Sequence, residues 1–378
     1  MSVHAPRQGP LTDVRVLEIG GIGPTPFAGM LLADMGADVL RIERSAAAAV
    51  VPADDPTRRG RQSIALNLKS AAGREALLAL SEQADALIEG FRPGVMERLG
   101  IGPDDVRARN PRLVYGRMTG YGQEGPMSQV AGHDINYISL AGVLGASRRT
   151  GERPMFALNL VGDYGGGAMF LGFGVVCGIL EARRSGHGQT VDAAMVDGAA
   201  LLTSLVYALR GAGQWGEDPG GNLLDSGAHF YEVYATADGG HVAVGALEPQ
   251  FYARLLELLG VPAEQMPQFD RARWPEFKQR LMDVFARRTA GEWGELLEGE
   301  DACATVVRGI WDAPEHPHMA ARGTFVDVGD ARQPGPAPRF SRTAAQARPA
   351  HDDPEGALER WGLDRPARDR LRDAGALL

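Results

Sequence analysis

Short apolar runs separated by helical patterns fill the first 120 residues. The stretches VRVLEI (14–19), ADVLRIE (37–43), SIALNL (63–68), ADALIEG (84–90) and LVYGRM (113–118) have the length and composition of buried strands. Between them, PFAGMLLADMG and SAAGREALLALSEQ carry apolar residues at helical spacing, the second opened by Ser70 in a capping position. Strands alternating with helices need crossover connections. The pattern therefore predicts an α/β fold with a large, Rossmann-like parallel-sheet domain.

Beyond that, the pattern changes. A long helix runs from about Asp163 to EARRSG, followed by QTVDAAM and a second helix through LLTSLVYALRG. GAGQWGEDPGGNLLDSG is dense in turn residues and reads as a linker. After it, YEVYAT and HVAVGAL around DGG predict a hairpin, and FYARLLELLG, WPEFKQRLMDVFARR and GEWGELLEG predict helices. The expected division is a large domain over 1–212, completed by about 325–378, a linker over 213–228, and a smaller α+β domain over 229–324. The proline-rich RQPGPAPRFSRTAAQARPAHDDP is expected to lie extended over the surface.

Composition narrows the function. The chain has 378 residues, 44% hydrophobic and 23% charged, with a formal charge of −9, which fits a folded domain and lacks the basic face of a nucleic-acid binder. Cys177 and Cys303 are the only cysteines, too few for a disulfide framework. The start, MSVHAPRQGP, lacks the apolar core of a secretion signal. AMFLGFGVVCGIL is shorter than the roughly 20 residues that span a bilayer. The expectation is a cytoplasmic protein with no membrane and no nucleic-acid partner.

Four features carry candidate chemistry. The run Gly21-Ile22-Gly23-Pro24-Thr25-Pro26 follows the first strand, but Pro26 replaces the third glycine of a dinucleotide fingerprint. The two prolines also remove N–H donors a pyrophosphate would use, so a nicotinamide site is not expected. Arg44, Lys69 and the GFRPG turn follow successive strands. Each alone is a solvated charge, but parallel strands bring their carboxyl ends to one edge, where the cations converge on a phosphate-bearing ligand. His133, in AGHDINYISL, and Asp163, in NLVGDYGGG, sit in glycine-flanked turns. Asp163 alone reads as a helix N-cap and His133 as a turn histidine bonded to a carboxylate such as Asp134; the alternative is that both face a ligand. Glu248 stands where a strand hands over to a helix, where an acid complements the helix dipole. His316-Pro-His318 has no further ligands near it in sequence and reads as surface.

Taken in order, GRMTGYGQEGP, AGHDINYISL, NLVGDYGGG, GQTVDAAMVDG, VAVGALEPQFY and DRARWPEF resemble the family III coenzyme A transferases over nearly the whole chain, and within them the racemase branch. The resemblance implies that coenzyme A, as part of the substrate, meets Ile22, Arg44, Leu66, Asn67, Leu68, Lys69, Gly90, Phe91, Arg92, Pro93, Gly94 and Arg98. It implies that the thioester lies along Gly132, Asp134, Ile135, Asn136 and Tyr137. It assigns proton transfer to His133 and Asp163, with Glu248 supporting the histidine. It further implies an interlocked homodimer, an acyl-CoA thioester as partner, and no metal or redox cofactor. Two positions depart from the pattern: Ser226-Gly227-Ala228-His229 precedes Phe230-Tyr231, and Gln62 stands where a second basic residue is common. The imidazole and hydroxymethyl are expected to reshape the acyl surface.

That chemistry suits those residue types. Inverting a centre beside a thioester carbonyl needs one group to take the α-proton and another to return a proton on the opposite face. The glycine-rich start of the Asp163 helix is expected to offer N–H groups to the enolate oxygen. The competing expectation is a coenzyme A transferase in which Asp163 is the nucleophile.

Overall fold

Alternation along each strand decides which of two cores a side chain enters. A computed structural model describes residues 7–44, 55–350 and 353–378. The first six residues of the N-terminal stretch and residues 351–352 of the proline-rich stretch lie outside the described residues. Six strands, β1 (Arg15–Ile19), β2 (Asp38–Glu43), β3 (Gln62–Ala65), β4 (Ala86–Glu89), β5 (Val114–Thr119) and β6 (Thr190–Ala194), form one parallel sheet ordered β3-β2-β1-β4-β5-β6. This is the doubly wound order expected of the pattern. Leu17, Ile19, Leu40, Ile42, Leu87 and Tyr115 enter the core on one face. Val16, Val39, Ala86, Ile88 and Val114 enter the core on the other. A period of two divides them, and with both faces covered the strands read as continuous apolar runs.

The second face is covered by α1 (Pro24–Asp34), through Ala28 and Leu32, and by α6 (Met169–Ser185), through Leu171, Val175 and Ile179. The first face is covered by α2 (Ala71–Ser81), α3 (Val95–Arg98) and α4 (Pro103–Arg109). Ser70 caps α2, its Oγ accepting the Gly73 N–H at 3.0 Å. The chain's last helices, Pro354–Arg360 and Arg365–Asp373, return to that face and bury Leu358, Trp361 and Leu371. The proline-rich stretch does not simply lie on the surface. It begins in a strand, Ala331–Pro334, whose buried Gln333 accepts from Arg59 at 2.8 Å.

Two further helices stand beyond the sheet's carboxyl edge, α5 (Asp134–Leu140) and α7 (Met195–Leu201). Residues Leu160–Ala168 form π-helical turns that continue into α6. Together, Leu160–Ser185 is the one helical stretch among the described residues long and apolar enough to cross a membrane, and half of its most apolar window is buried inside the protein. That is the composition of a core helix as well.

The chain divides into two compact units. Met1–Ala141, Ala157–Leu202 and Pro317–Leu378 form the first; Gly142–Phe156 and Thr203–His316 form the second. The second therefore begins nearer Thr203 than residue 229, and it takes in a detour from the first. Arg149 in that detour pairs with the buried Glu232 at 2.7 Å, which ties it to the second unit. Within the second unit, α8 (Ser204–Gly211) leads to the hairpin β7 (Tyr231–Ala235) and β8 (His241–Gly245), antiparallel as the DGG turn predicts. Helices α9 (Pro249–Leu259), α10 (Trp274–Phe285) and α11 (Ala290–Leu297) pack with the hairpin, and β9 (Ala304–Val306) adds a third strand. Their core is aromatic: Phe230, Tyr234, Trp274, Phe277, Phe285 and Trp293.

Candidate active site

The strand ends supply one wall. The Arg44 guanidinium lies 4.7 Å from the centroid of the Phe91 ring, so the ends of β2 and β4 meet across β1. Phe91 is held from below, its N–H donating to Glu89 Oε2 at 2.7 Å. Burial pushes the Glu89 carboxyl up to about 7, against that hydrogen bond and the Arg117 guanidinium 3.0 Å away. Arg98 folds back over the GFRPG turn, where a Cβ at Gly94 would lie 2.9 Å from its Nη1. Gln129 donates to Pro93 O at 3.2 Å. Gly90, Arg92 and Lys69 are exposed at the same edge, and the Lys69 N–H donates to Asn67 Oδ1 at 3.2 Å.

Leu66 and Leu68 are different. Both side chains are buried in the sheet's core, and the Leu66 N–H is spent on Glu43 O at 2.9 Å. They shape the turn that presents Asn67 and Lys69, and offer no side-chain contact of their own. Ile22 stands out in the opposite sense, 85% exposed on the loop after β1.

The second wall holds the histidine and the aspartate. His133 is the N-cap of α5, with extended backbone, and its N–H donates to Asn136 Oδ1 at 3.0 Å. Its exposed imidazole has no hydrogen-bond partner among the described residues, so it is not the carboxylate-bound turn histidine of the simpler reading. Asp134 is spent elsewhere. It is buried, and its Oδ2 accepts from the N–H groups of Gly162 at 2.6 Å and Asp163 at 2.7 Å. Asp134, not Asp163, thus caps the π-helical turns. This corrects two expectations: Asp134 is a structural cap, and those two amides are not available to an enolate oxygen.

Asp163 is freed by that substitution. Its half-buried carboxylate accepts from Asn159 Nδ2 at 3.1 Å. Burial holds its pKa above the ordinary carboxyl value; the Asn159 bond and the His133 charge draw it down, and Asp134 pushes it up. His133 and Asp163 therefore share one electrostatic neighbourhood. Tyr137 belongs to it too: burial first, then Tyr121 and Asp163, push its hydroxyl up to about 12, while Arg92 opposes them. Its ring fills the space left by Gly132, where a Cβ would lie 2.8 Å away, and its hydroxyl donates to Gly132 O. Ile135 is exposed beside them.

Sequence reasoning missed Asn159. The signal was there: an amide four residues before an acid is the spacing at which side chains on a helical turn meet. The glycines after Asp163 serve packing. A Cβ at Gly166 would lie 2.5 Å from Ala199 N, so bare backbone lets the π-helical turns approach α7. The π-helical stretch holds the Asp163 carboxylate in its first turn, and such turns are frequent at functional sites.

In the second unit, Glu248 is exposed at the N-cap of α9, with no side-chain cap bond. His229 overturns an expectation. It is fully buried, its Nε2 2.7 Å from the Tyr252 hydroxyl, which donates to Met266 O at 2.9 Å. Since that hydroxyl proton is committed, the imidazole is the donor and is neutral. Burial, then the Lys278 charge, lowers its pKa to about 4. His229 is a core residue and does not reshape a ligand surface. Gln62 receives a hydrogen bond from Arg360, so a cation from the C-terminal helix reaches the position where the sequence lacks one. His316 lies 3.3 Å from Glu298, and no metal-binding cluster of three or more His, Cys, Asp or Glu occurs among the described residues.

Comparison with known proteins gives a consistent set of matches. The model of CoA-transferase family III matches residues 11–357. Alpha-methylacyl-CoA racemase of Mus musculus is 45% identical over 337 residues, covering 89% of this chain and 87% of that protein. The human protein of the same name is 41% identical over the same shares. Among solved structures, Rv3272 from M. tuberculosis superposes with a TM-score of 0.76 at 27% identity, covering 94% of this chain and 99% of that one.

Proposed function

The chain belongs to CoA-transferase family III, and from that premise we propose that it is an isomerase inverting the α-carbon of 2-methylacyl-CoA thioesters. One observation carries the reading: an unbonded, exposed imidazole and a carboxyl with a raised pKa occupy one electrostatic neighbourhood at the sheet's carboxyl edge. In one direction neutral His133 takes the α-proton. The carbon's electron pair moves into the thioester carbonyl as an enolate, and protonated Asp163 returns a proton to the opposite face. In the other direction the roles exchange. A carboxyl whose hold on its proton is strengthened by burial, beside an imidazole with no hydrogen-bond partner among the described residues, is the complementary pair this needs. With the Gly162 and Asp163 amides committed to Asp134, the enolate oxygen is assigned to N–H groups at the start of α5.

Arg44, Lys69, Arg92 and Arg98 receive the phosphates of coenzyme A, with Phe91 and Asn67 shaping the turns between them. No resident metal or redox cofactor takes part. The protein works as an interlocked homodimer: Met169, Phe173, Val176 and Leu180 form an exposed apolar stripe on α6 at helical spacing, a face that a second copy of the chain would cover.

The test is proton NMR in deuterium oxide with a panel of 2-methylacyl-CoA thioesters. Loss of the α-proton with racemisation at that carbon is expected. Transfer of coenzyme A to a free carboxylic acid without α-exchange, with hydroxylamine trapping Asp163, would replace this reading by the transferase one.

A further inference from the structure

We propose that the buried Glu18, Arg41 and Arg61 are positioning residues that hold residues 21–26 as a rigid, donor-poor wall beside the Asp163 carboxylate. The proposal rests on the acid/base reading of Asp163. It starts from a cluster that the reaction itself does not use. Glu18 on β1 is fully buried and lies directly across from Arg41 on β2. Its Oε1 accepts from Arg41 Nη1, and its Oε2 accepts from Arg61 Nη1 at 2.5 Å. Arg41 Nε donates to Glu43 Oε1 at 2.6 Å. Gly29 leaves the room, since a Cβ there would lie 2.1 Å from Glu18 Oε2.

Each arginine then reaches one end of the same loop. Arg41 Nη2 donates to Gly21 O at 3.1 Å, and Arg61 Nη1 donates to Pro26 O at 2.9 Å. Between those two points Gly23 takes φ 73°, a conformation open to glycine, and its Cβ position would lie 3.7 Å from Asp163 Oδ2. One residue further, Phe27 stacks on Tyr164 at 4.5 Å. The loop is thus fixed from behind and pressed against the carboxylate in front. Pro24 and Pro26 have no N–H, residues 20–26 contain no titratable side chain, and the hydrogen bond to the Asp163 carboxylate comes from Asn159, so the wall brings no formal charge to it. The groups that do act on Asp163 are Asn159 from its own turn and Asp134 and His133 from α5.

Stability is a poor account of the network. Arg61 Nε and Nη2 are buried without partners, and buried ion clusters often stabilise no better than apolar replacements of the same shape. What the charges supply is directional hold on two carbonyls. Slack in the loop would admit water to Asp163 and bring its pKa down toward the ordinary carboxyl value.

The experiment uses Glu18→Gln and Arg61→Met in the full chain. We expect kcat for α-proton exchange to fall roughly 10- to 100-fold with KM unchanged. We also expect the Asp163 titration to move down, followed by infrared spectroscopy of 13C-carboxyl aspartate with Asp163→Asn as the assigning reference. Arg61→Lys, which keeps a cationic donor, should recover part of the loss. Unchanged kcat and titration in folded variants would overturn the proposal, as would a fall in kcat with the titration unmoved. If Arg61→Met does not fold, the isosteric Glu18→Gln carries both readouts; loss of folding in both would assign the network to stability alone and end the proposal. A wild-type protein without α-exchange would sink the acid/base reading instead, and the infrared shift would still decide the wall.

Discussion

Two histidines divide the molecule's chemistry between its units. His133 heads a helix in the first unit with its ring exposed and without a hydrogen-bond partner among the described residues. His229 sits in the second unit's aromatic core, edge-on to Phe230 and Phe277, and is locked neutral as a donor to Tyr252. The same side chain is left exposed and unbonded in one place and is a packing piece in the other. A second pair repeats the contrast within one strand's reach: Arg41 is sealed in an ion cluster, and Arg44, three residues on, stands exposed over Phe91. Residue type tells little until burial and partners are known.

The contrast breaks most sharply at His133. His133→Ala should lower α-proton exchange by about 10²- to 10⁴-fold while coenzyme A binding and the melting temperature stay as they are, checked by NMR exchange, titration and a thermal scan. A matching loss of stability would make His133 another core histidine. Next in size is Arg44→Ala. Affinity for coenzyme A should fall about tenfold, or about 1.4 kcal/mol, with kcat at saturation unchanged, measured by calorimetry.

His229→Phe should do the reverse of His133→Ala. It removes the Tyr252 bond and costs about 1–2 kcal/mol at neutral pH, with little effect on exchange once folded. Its pH signature is distinctive. The folded pKa, about 4, lies below the ordinary 6.5, so the wild type has this stability in full above 6.5 and loses it as pH falls through 4. Denaturant melts of the variant should lack that acid slope.

Glu89→Gln gives the smallest effect and the opposite sign. Its folded pKa, about 7, lies above the ordinary 4.5, so its contribution is present below 4.5 and is lost as pH rises through 7. The variant should gain on the wild type as pH rises from 4.5 to about 7, and a difference that shrinks with rising pH would contradict the burial argument.

Much of the fold was legible because periodicity is local. Five strand runs, the Ser70 cap and the DGG hairpin all rest on neighbours within a few residues. The resemblance pointed to His133 and Asp163, and spacing alone left both as ordinary turn residues. The boundary between the units was harder, since the tie of Arg149 to Glu232 spans 83 positions of sequence. Asp134 was misjudged for the same reason: its partners, Gly162 and Asp163, lie nearly thirty residues away. The resemblance places Leu66 and Leu68 at the ligand with Asn67 and Lys69, yet alternation sends both leucine side chains inward.

By itself, then, the order of residues determined a parallel sheet with its cations at one edge, because strand period, helix period and turn chemistry act over short distances. Which aspartate is a cap and which is free, which histidine is sealed, and which arginine is left exposed were decided only by tertiary structure. Desolvation and hydrogen-bond partners settle those questions, and both are supplied by residues remote in the chain.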